Sequence, residues 1–274
     1  MGRIQRTLQL ARSSWEVLRA DKELLALPLI SALASLVVAA TIIAPMFFIG
    51  SSAFNADGSI NVLGYVILFV VYVALAYITI FFNAALIHAA NERLSGADPT
   101  LGTALRGAAG RAGRIFPWAL ISATVSIILR TIEERFGAVG RIVIGFVGLA
   151  WSLVTFLVLP ILVMEDIPVG EAIRRSSEMF KQTWGENVAA QIGFGILAFI
   201  AALPAVALVF LAATSGTAAG IAITVGVAWF IAVGVVIATL NGIFQTALYR
   251  YAVHGRAGGP FDDGALGSAF APKR

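Results

Sequence analysis

The chain has 274 residues, of which 59% are hydrophobic and 12% charged, with a formal net charge of +4. A soluble domain carries about 25% charged and about 45–50% apolar residues, and so few charges cannot cover a water-exposed exterior around so much apolar side chain. Soluble enzyme, nucleic-acid binder and disordered chain are excluded together, which leaves a multi-pass membrane protein.

In chain order, the first element is an amphipathic helix. Ile4, Leu8, Ala11, Trp15 and Leu18 recur at steps of four and three, while Arg3, Arg6, Arg12, Glu16 and Arg19 take other faces. That pattern is an apolar stripe flanked by Arg, with Trp at interfacial depth. The apolar run that starts at Leu24 continues for 26 residues, whereas a cleavable leader needs only about 7–15. It is therefore expected to stay in the membrane as a first span.

A bilayer core asks for about 20 apolar residues per helix. Six segments qualify: 24–49, 60–90, 115–132, 142–164, 188–213 and 218–248. The third is the shortest, and the second and sixth are long enough to tilt. Pro28, Pro45, Pro117 and Pro160 fall near span ends, where a missing backbone donor costs little. Pro204 lies inside the fifth span and is expected to kink it, leaving a carbonyl for a neighbouring helix to satisfy.

Lys and Arg set the orientation. Sixteen of them fall in the N-terminal stretch, the second-to-third and fourth-to-fifth connections and the C-terminal tail. Three (Arg130, Arg135 and Arg141) fall in the turn between spans three and four, and the loops around Asp57 and Ser215 have none. Both termini are expected on the cytoplasmic side, and the Arg-over-Lys bias fits a GC-rich bacterium and its plasma (inner) membrane.

The long connections read as further flat helices. One opens at Asp98-Pro99, an N-cap followed by proline, with Leu101, Leu105, Ala108, Ala112 and Ile115 as its stripe. Another runs from Pro168 with Val169, Ile173, Met179, Phe180 and Trp184 apolar. The two align at an offset of 68, Asp98, Gly102, Ala104 and Arg106 matching Asp166, Gly170, Ala172 and Arg174. Phe82-Asn83-Ala84-Ala85-Leu86 is echoed by Phe244-Gln245-Thr246-Ala247-Leu248. The predicted fold is thus an all-α membrane protein of six transmembrane helices, built as three parallel repeats of one cytoplasmic amphipathic helix plus a two-span hairpin. The units cover approximately 3–90, 98–164 and 166–250, followed by a cytoplasmic tail over 251–274.

The stretch Pro160-Ile161-Leu162-Val163-Met164-Glu165-Asp166, followed by Ala172-Ile173-Arg174-Arg175-Ser176, resembles a pattern in uncharacterised bacterial six-span membrane families. These include membrane regions fused to glycerophosphodiesterases, in which a span ends in Pro-x-x-Val-x-Glu and an Ala-x-Arg-Arg-Ser helix follows. No phosphodiesterase domain is present here, so the resemblance implies architecture and carries no activity.

Ionisable residues inside a span are functional candidates by default, and this chain has almost none. Glu165 and Asp166 end the fourth span. As a carboxylate pair they could serve acid–base work, but the plainer reading is that Asp166 caps the next helix while Glu165 pairs with Arg174 or Arg175. His88 is either a proton-linked switch or an interfacial polar cap. Two histidines, His88 and His254, without Cys or a His-Glu-x-x-His spacing make no metal site. Asn83, Asn241 and Gln245, with His88, form the in-membrane polar set; they either line an aqueous path or hydrogen-bond between helices at about 0.6 kcal/mol each. Gly193-Phe194-Gly195-Ile196-Leu197-Ala198 fits a dinucleotide fingerprint but lies inside a span, where the fingerprint has no meaning.

The expected function is therefore non-enzymatic, without catalytic, cofactor or metal residues: a membrane-organising or assembly protein. Arg12, Arg19, Arg106, Arg111, Arg174 and Arg175 would hold anionic lipid headgroups at about 1 kcal/mol per well-placed cation. The alternative is transport, as a homo-oligomeric pore or a permease subunit working with a separate ATPase. Expected partners are membrane lipids and a second copy or partner membrane protein, with no nucleic acid.

Overall fold

The computed structural model describes residues 3–49, 55, 59–214 and 219–261. The loop residues Asp57 and Ser215, the tail from Asp262 onward, and the side chains of Ile4, Leu8 and Trp184 lie outside the described residues. Among those described, the regular elements are helical: α1 (Arg3–Ala20), a short 3-10 helix (Lys22–Leu25), α2 (Ala26–Ile49), α3 (Val62–Leu94), α4 (Leu101–Ala109) and α5 (Ala112–Arg135). They continue with α6 (Gly137–Val154), α7 (Val158–Met164), α8 (Val169–Thr214) and α9 (Ala219–His254). Six helical stretches are long and apolar enough to cross a membrane: Lys22–Ala44, Val62–Leu94, Ala112–Arg135, Gly140–Met164, Gly195–Ala212 and Ala219–His254. In the most apolar window of each, only 6–22% of residues are buried inside the protein. Surface that apolar needs a hydrocarbon solvent, so the chain is a multi-pass membrane protein.

Two compact units divide the chain. The first comprises Met1–Leu25, Ala89–Pro99 and Glu178–Arg274. Here α1 packs against α9 and buries Leu10, Ala11, Ser14, Val17 and Leu18. That face takes in Ala11 and Leu18 of the predicted stripe and adds Leu10, Ser14 and Val17, while Trp15 is exposed, as are Arg12, Glu16 and Arg19. Small residues at Ala11 and Ser14 allow α1 to lie close to its neighbour, with the Ser14 hydroxyl donating to the Leu10 carbonyl at 3.0 Å in its own helix. Between α8 and α9, Gly226 makes the close approach: a Cβ there would stand 3.3 Å from the Ala205 carbonyl oxygen. One turn along, the Trp229 indole N–H donates to the Ala201 carbonyl at 2.8 Å. Pro204 lacks the N–H that would meet the Ile200 carbonyl, and the Trp229 bond falls on the carbonyl next to it.

The second unit comprises Ala26–His88 and Thr100–Ser177. α5 packs against α6 and touches α7, with Trp118 stacked near Trp151 at 6.2 Å between ring centroids. Tyr77 of α3 meets Phe116 of α5 edge-on at 5.8 Å. α4 buries Ala104 and Ala108, and its Gly107 lies directly under the His88 ring, where a Cβ would come within 2.3 Å.

Three sequence expectations change at helix ends. α4 is capped by Thr100, not Asp98: Thr100 Oγ1 accepts from the Thr103 N–H at 3.1 Å, and Thr103 Oγ1 accepts from the Thr100 N–H at 3.0 Å. Asp98 instead pairs with Arg93 at 3.2 Å. The flat helix expected from Pro168 has no end of its own, since α8 runs 46 residues into the fifth span. Between Trp184 and Val188 the sole breaker is Gly185, worth about 1 kcal/mol against helix, which does not stop one. The fourth span, expected to be continuous, is interrupted between α6 and α7.

Candidate functional site

That interruption has a cause in the sequence. A proline ring inside a helix clashes with the carbonyl four residues before it, and for Pro160 that residue is Phe156. The helix breaks over Thr155–Leu157 and restarts at Val158, so Pro160 falls in the first turn of α7, where no intrahelical donor is needed. Ser176 of α8 fills the break. Its hydroxyl donates to the Val154 carbonyl at 2.6 Å and accepts the Leu157 N–H at 3.2 Å, and the residue is 1% exposed.

Charges fasten the same corner. Arg175 holds Glu165 at 2.8 Å, one of the two partners the sequence offered. Asp166 takes both Arg111 and Arg114 from the start of α5. Arg174 hydrogen-bonds Glu171 one turn earlier in α8, at 3.1 Å from Nε, and this keeps the exposed Glu171 carboxyl below its usual range. Pro160, Glu165, Arg175 and Ser176 of the motif noted in the sequence thus act as one latch between the end of the fourth span and α8.

In the first unit Arg250 is the hub. Its Nε donates to the Ala257 carbonyl at 2.8 Å, and Nη1 reaches Asn91 Oδ1 at 2.6 Å and Ser95 Oγ at 2.7 Å. The turn after α9 is thereby held against the end of α3, with Gly258 at φ +83°. A Cβ on Gly258 would stand 2.4 Å from the Leu94 carbonyl oxygen. Ser13 of α1 donates to the Pro260 carbonyl at 3.2 Å. Beside these groups a pocket of about 420 Å³ is lined by Glu16, Val17, Ala20, Arg93, Leu94 and Pro260, among others.

Asp21, between α1 and the 3-10 helix, is 7% exposed. Its Oδ1 accepts the Glu23 N–H at 3.2 Å, while Oδ2 has no partner among the described residues. Burial pushes its carboxyl above the usual range; the Glu23 N–H and the Arg93 charge work against that rise, and Glu23 and Asp98 add to it. A carboxyl that holds its proton more tightly when folded makes stability fall as pH rises from the ordinary carboxylate range through the raised folded value. Asp21→Asn is accordingly expected to raise the melting temperature at pH 7 and to flatten the profile over that interval. A lower melting temperature at pH 7 would show instead that the charge is needed against Arg93.

The predicted site residues separate into spent and open groups. Arg111, Arg174 and Arg175, expected at lipid headgroups, are held by carboxylates. Arg106 is exposed, its Nε bonded only to the Gly102 carbonyl of its own helix. Arg12 is loosely paired with Glu16 at 3.8 Å, and Arg19 is exposed. Among the polar set, Asn241 donates to the Ile237 carbonyl one turn back at 3.1 Å, and Gln245 is buried. Asn83 and His88 belong to the second unit, Asn241 and Gln245 to the first. Sequence reasoning missed Ser176 and Arg250 as hubs. The available signal for Ser176 was a hydroxyl on the apolar face of α8, among Ala172, Ile173, Met179 and Phe180.

The family model described as a family of unknown function (DUF6159) matches residues 62–259, more than half of the chain. Its span takes in the Pro160–Ser176 latch and Arg250 with the turn it holds. No curated protein matches the chain. The chain belongs to DUF6159.

Proposed function

From that membership, which brings no assigned activity, we propose that the protein is a non-enzymatic membrane-organising or assembly protein that gathers anionic lipid at the end of the spans where α1 lies. The observation that carries the reading is the exposed stripe of α1. Arg12, Trp15, Glu16 and Arg19 recur at helical spacing on its open side, while the opposite side is spent on packing. A tryptophan between two arginines suits headgroup depth, the ring in the acyl boundary and the cations at phosphate. Arg106, on a helix that buries Ala104 and Ala108 on its other side, adds a third open cation.

With each crossing reversing direction, the starts of the first, third and fifth spans and the ends of the second, fourth and sixth fall on one side of the bilayer. The arginine count makes that the cytoplasmic side. The internally paired arginines hold the spans and leave the open ones to lipid.

The test is lipid retention. The triple variant R12Q/R19Q/R106Q is expected to lose most of its co-purifying phosphatidylglycerol, at about fivefold in affinity per cation. R174Q/R175Q should keep its lipid and melt lower. Equal lipid content in wild type and the triple variant would overturn the reading.

A further inference from the structure

The second unit has a groove at the other end of its spans from α4 and its open cation. It lies between the first three turns of α3 and the last three of α5, has a volume of about 380 Å³, and is lined by Tyr65, Leu68, Phe69, Ile127, Arg130 and Glu134, among others. Low-numbered residues of α3 meet high-numbered residues of α5 here, and Tyr77 meets Phe116 further along, so the two helices are antiparallel neighbours. At 1.5 Å per residue, Tyr65 and Arg130 lie about 5–8 Å inside the helix ends, and Phe69 and Ile127 lie about 10–12 Å inside. The groove is therefore polar at headgroup depth and apolar where acyl chains begin.

Arg130 is anomalous. It is a cation on the wall of a span, on the side that holds three of the 19 basic residues, Arg130, Arg135 and Arg141, and among the described residues no ion pair or hydrogen bond engages it. Glu134, one turn on, is equally unengaged. The two are about 6 Å apart at Cβ, a spacing that presents one positive and one negative group side by side rather than a single charge.

We propose that this groove is a binding site for one glycerophospholipid with a primary-amine headgroup, taken from the leaflet in which α3 begins and α5 ends. The phosphate sits on the Arg130 guanidinium, whose fork matches phosphate oxygens. The ammonium donates to Glu134. One acyl chain runs along Leu68, Phe69 and Ile127, and Tyr65 closes the site at the interface. A headgroup carrying one phosphate and one ammonium matches an Arg–Glu pair better than an anionic headgroup, which Glu134 repels. It also matches better than a quaternary amine, which has no N–H to donate. This site is independent of the α1 reading, since it shares no residue with it.

The experiment is native mass spectrometry of delipidated full-length protein titrated with phosphatidylethanolamine, phosphatidylcholine and phosphatidylglycerol of matched chains. The expected result is a single phosphatidylethanolamine bound about tenfold more tightly than either of the others, the size of one charge-assisted contact. R130Q should weaken all three lipids. E134Q should abolish the preference and leave general binding in place, a split that a folding defect would not produce. Circular dichroism and melting of both variants, whose side chains are exposed, establish that the fold is intact. An unselective shell of lipids, or a preference unchanged by E134Q, would overturn the proposal.

Discussion

Arg250→Ala is expected to lower stability by about 2–4 kcal/mol, because hydrogen bonds to a charged group are each worth about 1.5–3 kcal/mol and part of that returns to water at a half-exposed site. Four acceptors lose a donor together: the Ala257 carbonyl, the Asn91 Oδ1 and carbonyl, and Ser95 Oγ. They belong to the turn after α9 and the end of α3, so the loss is also local. Hydrogen exchange over residues 255–261 should accelerate far more than exchange in the α9 stretch around Phe244, which is buried. Arg250→Lys is expected to recover only part of the loss, since one ammonium cannot reach in two directions as a guanidinium does. A thermal melt of Arg250→Lys equal to wild type would mean that a single charge suffices there. Asn91→Ala supplies the second arm of a double-mutant cycle, and a coupling below about 0.5 kcal/mol would show the pair to be incidental.

What was legible in the sequence follows from what the bilayer demands. A span must be about 20 residues of near-continuous apolar side chain, and that signal is stronger than any propensity, so all six spans are visible in composition alone. Side-chain placement was less legible. On α1 the stripe with Trp15 at interfacial depth was legible, but not that the helix packs through Leu10, Ser14 and Val17 while Trp15 stays outside. In a membrane protein the exposed face is also apolar, so hydrophobicity does not say which side meets protein and which meets lipid. Small residues say it better: Ala11, Ser14, Ala104, Ala108 and Gly107 all lie where another helix or ring comes close. Of the arginines expected at lipid, Arg111, Arg174 and Arg175 meet carboxylates. Asp166, read as a cap, takes Arg111 and Arg114 from a helix some 50 residues away in sequence, and no local pattern reveals a pairing of that range. In the polar set Asn241 donates to the Ile237 carbonyl of its own helix, a contact that residue type alone does not reveal.

Ser176→Ala is the substitution expected to show what the broken fourth span costs to hold. In wild type the Leu157 N–H and the Val154 carbonyl both end on one hydroxyl. Leu157 and Ser176 are each 1% exposed, and Val154 is half-buried. Removing the hydroxyl leaves a buried donor and a half-buried acceptor unpaired, at about 1–3 kcal/mol for the buried group and less for the other, so a loss of about 2–4 kcal/mol is expected. Ser177→Ala is the control. That neighbouring hydroxyl donates only to the Arg174 carbonyl at an exposed position, and its loss should stay within about 0.5 kcal/mol. Pro160→Ala then tests the cause. An alanine restores the N–H that the Phe156 carbonyl lacks and removes the ring that forces the break, so α6 and α7 can join and the serine has less to satisfy. In the Pro160→Ala background Ser176→Ala should therefore cost clearly less than in wild type. Equal costs in the two backgrounds would mean that the break is imposed by the packing of α5 against α6 and α7, and that Pro160 merely tolerates it.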